Sequence, residues 1–257
     1  MVKAAERKQS PLIIQLFPWA VTFSNGLLVR TAADAAKRAS VPISIHMDHA
    51  QDEKLIRMAA DTLPFDSIMV DMSHYEKETN LIKTTELVAY CHDRGIATEA
   101  EPGRIEGGED GIADTADLEG MLTTPEEVEE FIATGVDFLA PAFGNVHGEY
   151  GPRGPQLDFN RLSLIREAIN GRVRLVLHGT NDFEDDVMEK CIAGGVSKVN
   201  VNKLVLSDYL GYLKVSSHLP LTQIMEEGVE KVVKLMEWQF DVCGSAGKAT
   251  DIPSANL

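Results

Sequence analysis

The 257 residues carry a formal net charge of −16, with 44% hydrophobic and 25% charged side chains, as expected for one sizeable globular domain over residues 1–257. That charge argues against non-specific attachment to nucleic acid or an anionic membrane, but not against a small anionic substrate held by backbone amides and one or two local cations. No apolar run is long enough to cross a bilayer, the N-terminus lacks a signal's apolar segment, and Cys91, Cys191 and Cys243 form no CxxC pair, so a cytoplasmic protein with reduced thiols is expected.

Short apolar runs alternate with amphipathic stretches, the pattern of a parallel sheet wrapped by helices. In chain order the pattern predicts a helix over 2–8, a strand over 12–16, a helix over 26–39 and a strand over 43–48. A helix over 53–62, a strand over 67–72, a helix over 78–93 stopped by Gly95 and a strand over 96–101 follow. Residues 102–123 break the rhythm; rich in glycine and acid and without a sustained period, they read as a long mobile loop over an active site. Thr124, Pro125 and Glu127 then signal the start of a helix over 125–134. A strand over 138–143, a Gly/Pro-rich loop over 144–156, a helix over 161–170, a strand over 173–177, a helix over 185–193 and a strand over 198–201 come next. The remainder reads as helical, most strongly over 221–240, with a frayed tail from 250. The seven strands are one short of a (β/α)8 barrel, and the chain opens on a helix, so the expected α/β fold is a TIM barrel lacking its first strand.

Three of the apolar runs end in histidine. Ile43 to Met47 leads into Asp48 and His49, Phe138 to Phe143 leads into His147, and Val173 to Leu177 leads into His178. Strand ends are where α/β folds collect their chemistry, and a catalytic zinc takes three protein ligands while keeping one position open. Any one of these histidines is as well explained as a polar cap on a strand; three in this context read as one metal site. Asp48 and His49 are adjacent, so on an extended segment they point to opposite sides, leaving Asp48 for general acid/base work rather than ligation. His46 shares the Asp48 face and reads as a packing or hydrogen-bonding residue. Glu99 and Glu101 share a strand face and are costly inside a barrel unless paired or bound to a cation. Glu109 stands in the expected mobile loop, where a solvated acidic loop is an equally good account.

The run from Val41 to Ala50, with Ile43-Ser44-Ile45-His46-Met47-Asp48-His49 at its centre, resembles the first signature of the class II, metal-dependent ketose-bisphosphate aldolases. Asp71-Met72-Ser73-His74 with Asn80, Glu99-Ala100-Glu101-Pro102-Gly103 with Gly107-Gly108-Glu109-Asp110-Gly111, Gly144-Asn145-Val146-His147-Gly148, Leu177-His178-Gly179 and Asn200-Val201-Asn202 resemble its later motifs in family order. The ending from Gly244 to Ala249 resembles one branch of that family. The resemblance covers nearly the whole chain and implies a TIM barrel with zinc on His49, His147 and His178, acting as a Lewis acid. It implies that Glu109 moves the carbon-bound proton, that Asp48 handles the proton on the aldehyde-derived oxygen, and that Asn200 orients the enediolate. Asp71 and Glu101 match positions linked to an alternative buried metal site. Gly148, Gly179, Thr180, Asn181, Asn202 and Lys203 would meet the substrate phosphate. The family also suggests a homo-oligomer acting on a small phosphorylated sugar, with no nucleic acid or membrane partner.

Four departures from the family pattern stand out. The phosphate loop HGGSG is here His178-Gly179-Thr180-Asn181-Asp182, which replaces two small residues and adds an anion, although Thr180 and Asn181 can still donate hydrogen bonds. Lys203 stands where a threonine is usual; it either returns a positive charge to the phosphate site or is an ordinary solvated lysine at a helix start. Pro102 and Glu106 replace an aliphatic residue and a glycine without shifting the register of Glu109. The family's first strand and preceding helix have no counterpart, so an incomplete barrel is expected. The reading is therefore a zinc-dependent aldolase acting on a ketose bisphosphate of the fructose-1,6-bisphosphate type. Its alternatives are a weakly active or inactive barrel that still binds metal and, more distantly, a zinc hydrolase in which Asp48 or Glu109 activates water.

Overall fold

A computed structural model describes residues 1–108 and 119–251. Helix α1 (Val2–Lys8) leads into β1 (Leu12–Leu16), and α2 (Pro18–Ser24) and α3 (Leu27–Arg38) carry the chain to β2 (Ile43–Ala50). The alternation continues through α4 (Glu53–Thr62), β3 (Ser67–Val70), α5 (Lys77–His92), β4 (Ala97–Ala100), the short β5 (Glu106–Gly107) and α6 (Pro125–Ile132). Then come β6 (Phe138–Leu139), the short β7 (Val146–His147), α7 (Phe159–Ile169), β8 (Arg174–Leu177), α8 (Asp185–Ala193) and β9 (Val196–Val199), closed by α9 (Lys203–Ser216) and α10 (Leu221–Val242).

Among the described residues the main sheet has seven strands in the order β1-β2-β3-β4-β6-β8-β9, every adjacent pair parallel. Helices cover its outer face by burying one stripe each: α4 turns Ile56, Ala59 and Ala60 inward, at the spacing that puts them on one side of a helix. Ile45, Ile68 and Leu87 centre the core of the first half, and Phe131, Leu139, Leu162 and Leu177 that of the second. Helix starts are fixed locally. Asp52 accepts from the amide of Lys54 at 2.7 Å, and Thr124 and Glu127 form a reciprocal capping box with bonds of 3.2 and 2.9 Å.

The sheet curls as an incomplete barrel. Among the described residues β1 and β9 have no strand on their outer edges. Helix α1 and the end of α10 pack beside that opening, sharing Ala4, Ala5, Val233, Met236 and Phe240, with the Gly247 amide donating to the Lys8 carbonyl at 2.8 Å. A cavity of about 1530 Å³, lined by Leu12, Leu16, Val199, Val201 and Phe240 among others, runs from this opening to His49, His147 and His178. No helix among the described residues is long and apolar enough to cross a membrane.

Several elements differ from the sequence expectation. Helix α2 occupies a stretch read as no element; Pro18 starts it, with a φ already suited to a first helical turn. The strand expected over 138–143 stops at Leu139, just before Pro141, which has no N–H to give a ladder. The last strand lies at Val196–Val199 instead of 198–201. The base of the loop over 102–123 is pinned. Arg104 and Met121 exchange backbone bonds of 2.9 and 2.8 Å, β5 pairs with β7, and the Arg104 guanidinium donates to the Ser73 carbonyl at 2.8 Å. Gly107 permits that pairing: it has φ +87°, and a Cβ there would stand 2.2 Å from the His147 carbonyl oxygen.

Candidate metal centre

Strand β2 delivers both Asp48 and His49 into the cavity, which its plain alternation would not do. Its pairing with β3 shifts register between Met47 and Ala50, and His49 sits at φ +46°. This bulge adds one residue to the strand and re-aims the side chains next to it. The expected opposite orientation of Asp48 and His49 is therefore corrected: both line the same cavity.

His49 Nε2 lies 3.0 Å from His178 Nδ1, and His147 Nε2 lies 3.3 Å from the same atom. Two of the rings, His49 and His178, are oriented from their far sides. Asp71 Oδ2 stands 2.8 Å from His49 Nδ1, and Glu99 Oε1 stands 2.8 Å from His178 Nε2. The Asp71 carboxylate is itself held, accepting from the Ser73 amide and hydroxyl at 3.1 and 2.6 Å. Glu101 completes the group: His49, Glu101, His147 and His178, all buried, bring one donor atom each within 4.8 Å of one another. One Glu101 oxygen accepts from the Ile105 amide at 2.7 Å, while the other is buried with no hydrogen-bond partner.

Three imidazole nitrogens aimed at one point, two backed by carboxylates, and an unpartnered buried carboxylate oxygen make a donor set suited to a borderline divalent cation such as zinc. The electrostatics agree. Burial opposes a charge on His49, but Asp48, Asp71 and Glu101 raise its pKa to about 10. Burial, followed by the charge of Asp71, pushes Glu101 up to about 8. Burial and the two neighbouring histidines hold His147 neutral, well below its ordinary value.

Asp48 stands beside this group without joining it. It accepts from Gln15 on β1 at 3.0 Å and from the Asn200 amide at 3.1 and 3.2 Å. Burial works against its charge, but His49, His46, His178 and Lys198 hold the carboxyl well below the usual carboxylate range. His46 has the hydrogen-bonding role read for it, with Nδ1 2.7 Å from Ser67 Oγ. Glu99 is fully buried and paired with Lys198 at 2.8 Å, which meets the cost foreseen for an acid inside the barrel.

The chain matches the family model "Fructose-bisphosphate aldolase class-II" over residues 1–248. It belongs to the class II fructose-bisphosphate aldolases. A Coccidioides immitis protein provisionally named fructose-bisphosphate aldolase is 57% identical over 97% of this chain and 85% of its own length. Streptococcus pneumoniae fructose-bisphosphate aldolase is 34% identical over 97% of this chain and 89% of its own. The crystal structure of a C. immitis aldolase, named with the same reservation, matches with a TM-score of 0.95 and 58% identity over 98% of this chain and 88% of that one. Membership makes the chain a lyase of a generally metal-dependent family whose substrates are sugar phosphates.

The glycines after His147 and His178 are both conformationally constrained. Gly148 and Gly179 have φ +94° and +69°, and a Cβ on Gly179 would lie 2.3 Å from the Val146 carbonyl oxygen. The side chains expected to donate to phosphate are engaged within the protein: Thr180 Oγ1 donates to the Asn200 carbonyl at 2.6 Å, and Asn181 to the Gly148 carbonyl at 2.9 Å. Lys203 pairs with Glu149 on the surface, and Asp182 accepts from the Tyr150 amide at 3.3 Å. Asn202 is the residue before α9, with its carbonyl accepting from Val205 at 3.1 Å. Glu109 lies outside the described residues. Sequence reading missed Gln15 and Lys198. The signal for Gln15 is a polar residue inside an otherwise apolar strand, and for Lys198 a charged residue inside a strand.

Proposed function

We propose that this chain is a zinc-dependent aldolase that reversibly cleaves a ketose bisphosphate of the fructose-1,6-bisphosphate type into dihydroxyacetone phosphate and an aldehyde. The observation that carries the reading is the convergence of His49, His147 and His178 beside an ionised Asp48 fixed by Gln15 and Asn200. Zinc held by the three histidines supplies a Lewis acid for the substrate carbonyl, so no lysine Schiff base is needed.

Asp48, charged at neutral pH, takes the hydroxyl proton of the oxygen that becomes the aldehyde and returns it in the condensation direction. The Asn200 amide orients the substrate oxygens next to it. Glu109 moves the carbon-bound proton of the three-carbon half. Backbone at Gly148 and Gly179, with Thr180, Asn181, Asn202 and Lys203 around it, receives the phosphate. An alternative cation position on Asp71 and Glu101 shares Glu101 with the main donor set. The same reading includes a cytoplasmic homo-oligomer. Free Cys91, Cys191 and Cys243 support the first part, and exposed Leu210, Leu221, Met225 and Val229 on α9 and α10 support the second.

The internal bonds of Thr180 and Asn181 favour one rival, a weakly active barrel that holds metal but grips phosphate poorly. Product analysis with fructose and tagatose 1,6-bisphosphates tests the reading. Two carbonyl products in equal amounts support an aldolase. Inorganic phosphate or water-addition products instead would replace it with a hydrolase.

A further inference from the structure

Lys198 is the buried cation beside the site. It lies on β9 at 7% exposure, two residues before Asn200, which follows the strand and prolongs its pairing through a backbone bond to the Leu177 carbonyl at 2.9 Å. Its ammonium stands 2.8 Å from Glu99 Oε2 and donates to Asn200 Oδ1 at 2.7 Å. A buried ammonium is retained only where such partners offset its lost hydration. Each partner leads to the reacting end of the site. The other oxygen of Glu99 holds His178 Nε2 at 2.8 Å, which leaves Nδ1 facing His49 and His147. The other end of the Asn200 amide faces both Asp48 oxygens, an orientation that follows once Oδ1 is taken by a donor.

We propose that Lys198 is a positioning residue for the aldolase reaction: by bridging Glu99 and Asn200 it sets the His178 ring and the Asn200 amide together. The inference rests on the metal-centre reading of the three histidines and goes beyond it, since the lysine touches neither the donor set nor a substrate oxygen. Its two branches have separate readouts. The Glu99 branch governs how well His178 is presented to a metal, and the Asn200 branch governs the surroundings of Asp48 during turnover.

The test replaces Lys198 with Met, which keeps the length and apolar stem, and in parallel with Gln, which keeps one donor but cannot serve both partners. Metal-free protein is titrated with cobalt, and the absorption of the bound ion and its affinity are read. Zinc-loaded protein is assayed for ketose-bisphosphate cleavage, with melting temperature as the folding control. The expected result is a changed cobalt spectrum, cobalt affinity weaker by about 10- to 100-fold, and kcat lowered by about tenfold or more with KM within about threefold of wild type. Should the Met variant fail to fold, the Gln variant is expected to show the same signs. Wild-type cobalt binding and wild-type kcat in either folded variant would overturn the inference alone. A wild-type chain that takes up no cobalt would overturn the metal-centre reading and this inference with it.

Discussion

Asp71 Oδ2 lies 2.8 Å from His49 Nδ1, so the opposite ring nitrogen, Nε2, is turned toward His178 at 3.0 Å. A carboxylate behind a ligating imidazole fixes the ring and raises its basicity. Asp71→Asn keeps the shape but offers His49 a weaker, neutral partner. Zinc affinity is expected to fall by about 10- to 100-fold, read by competition with a chromogenic chelator. An unchanged affinity would mean that His49 is held by its backbone bulge alone.

Metal uptake is expected to release protons. In the metal-free protein His49 keeps its proton up to about pH 10 and Glu101 up to about 8, so both are protonated at pH 7. Both values are raised, so the protonated forms are favoured below them, and a metal, which binds only the deprotonated groups, competes less well as pH falls. Zinc affinity should therefore rise by about tenfold or more from pH 6 to 7. Calorimetry in two buffers of different ionisation enthalpy should show a heat difference; equal heats would refute the competition.

Asp48→Asn separates chemistry from metal binding. The amide retains most of the packing but cannot accept a proton, so kcat should drop by about 10²- to 10⁴-fold while zinc content stays at the wild-type level. Loss of zinc in this variant would make Asp48 a ligand.

Gly179→Ala tests the loop after His178. At φ +69° with the Val146 carbonyl oxygen 2.3 Å from the added Cβ, the backbone must shift. KM for a phosphorylated ketose is expected to rise by about tenfold or more at unchanged zinc content. A wild-type KM would remove this loop from the phosphate site.

Thr124→Ala is the control for stability without function. Losing the capping box of α6 should cost about 1 kcal/mol, or about 2–4 °C in melting temperature, with activity intact.

Much of this architecture was legible because strand and helix periods differ and strand ends in a parallel sheet converge. The helices over 53–62 and 185–193 lie at the bounds expected for them, and the three histidines, far apart in the chain, come within reach of one another. What escaped the sequence depends on neighbours across the sheet. The pairing of Lys198 with Glu99 needs β4 and β9 to face each other across the curled interior, which no local pattern encodes. The bulge at His49 is a property of the pairing with β3, and it overrides the alternation that assigned Asp48 and His49 to opposite sides. The pinned base of the 102–123 loop escaped for the same reason: glycine-rich sequence reads as mobile until β5 finds β7.

The most direct test of the central claim is metal content followed by fructose-1,6-bisphosphate cleavage before and after chelation. The account predicts about one zinc per chain, cleavage lost on chelation and restored by zinc. Cleavage that survives complete removal of metal, or a chain that takes up no zinc when it is offered, would contradict it.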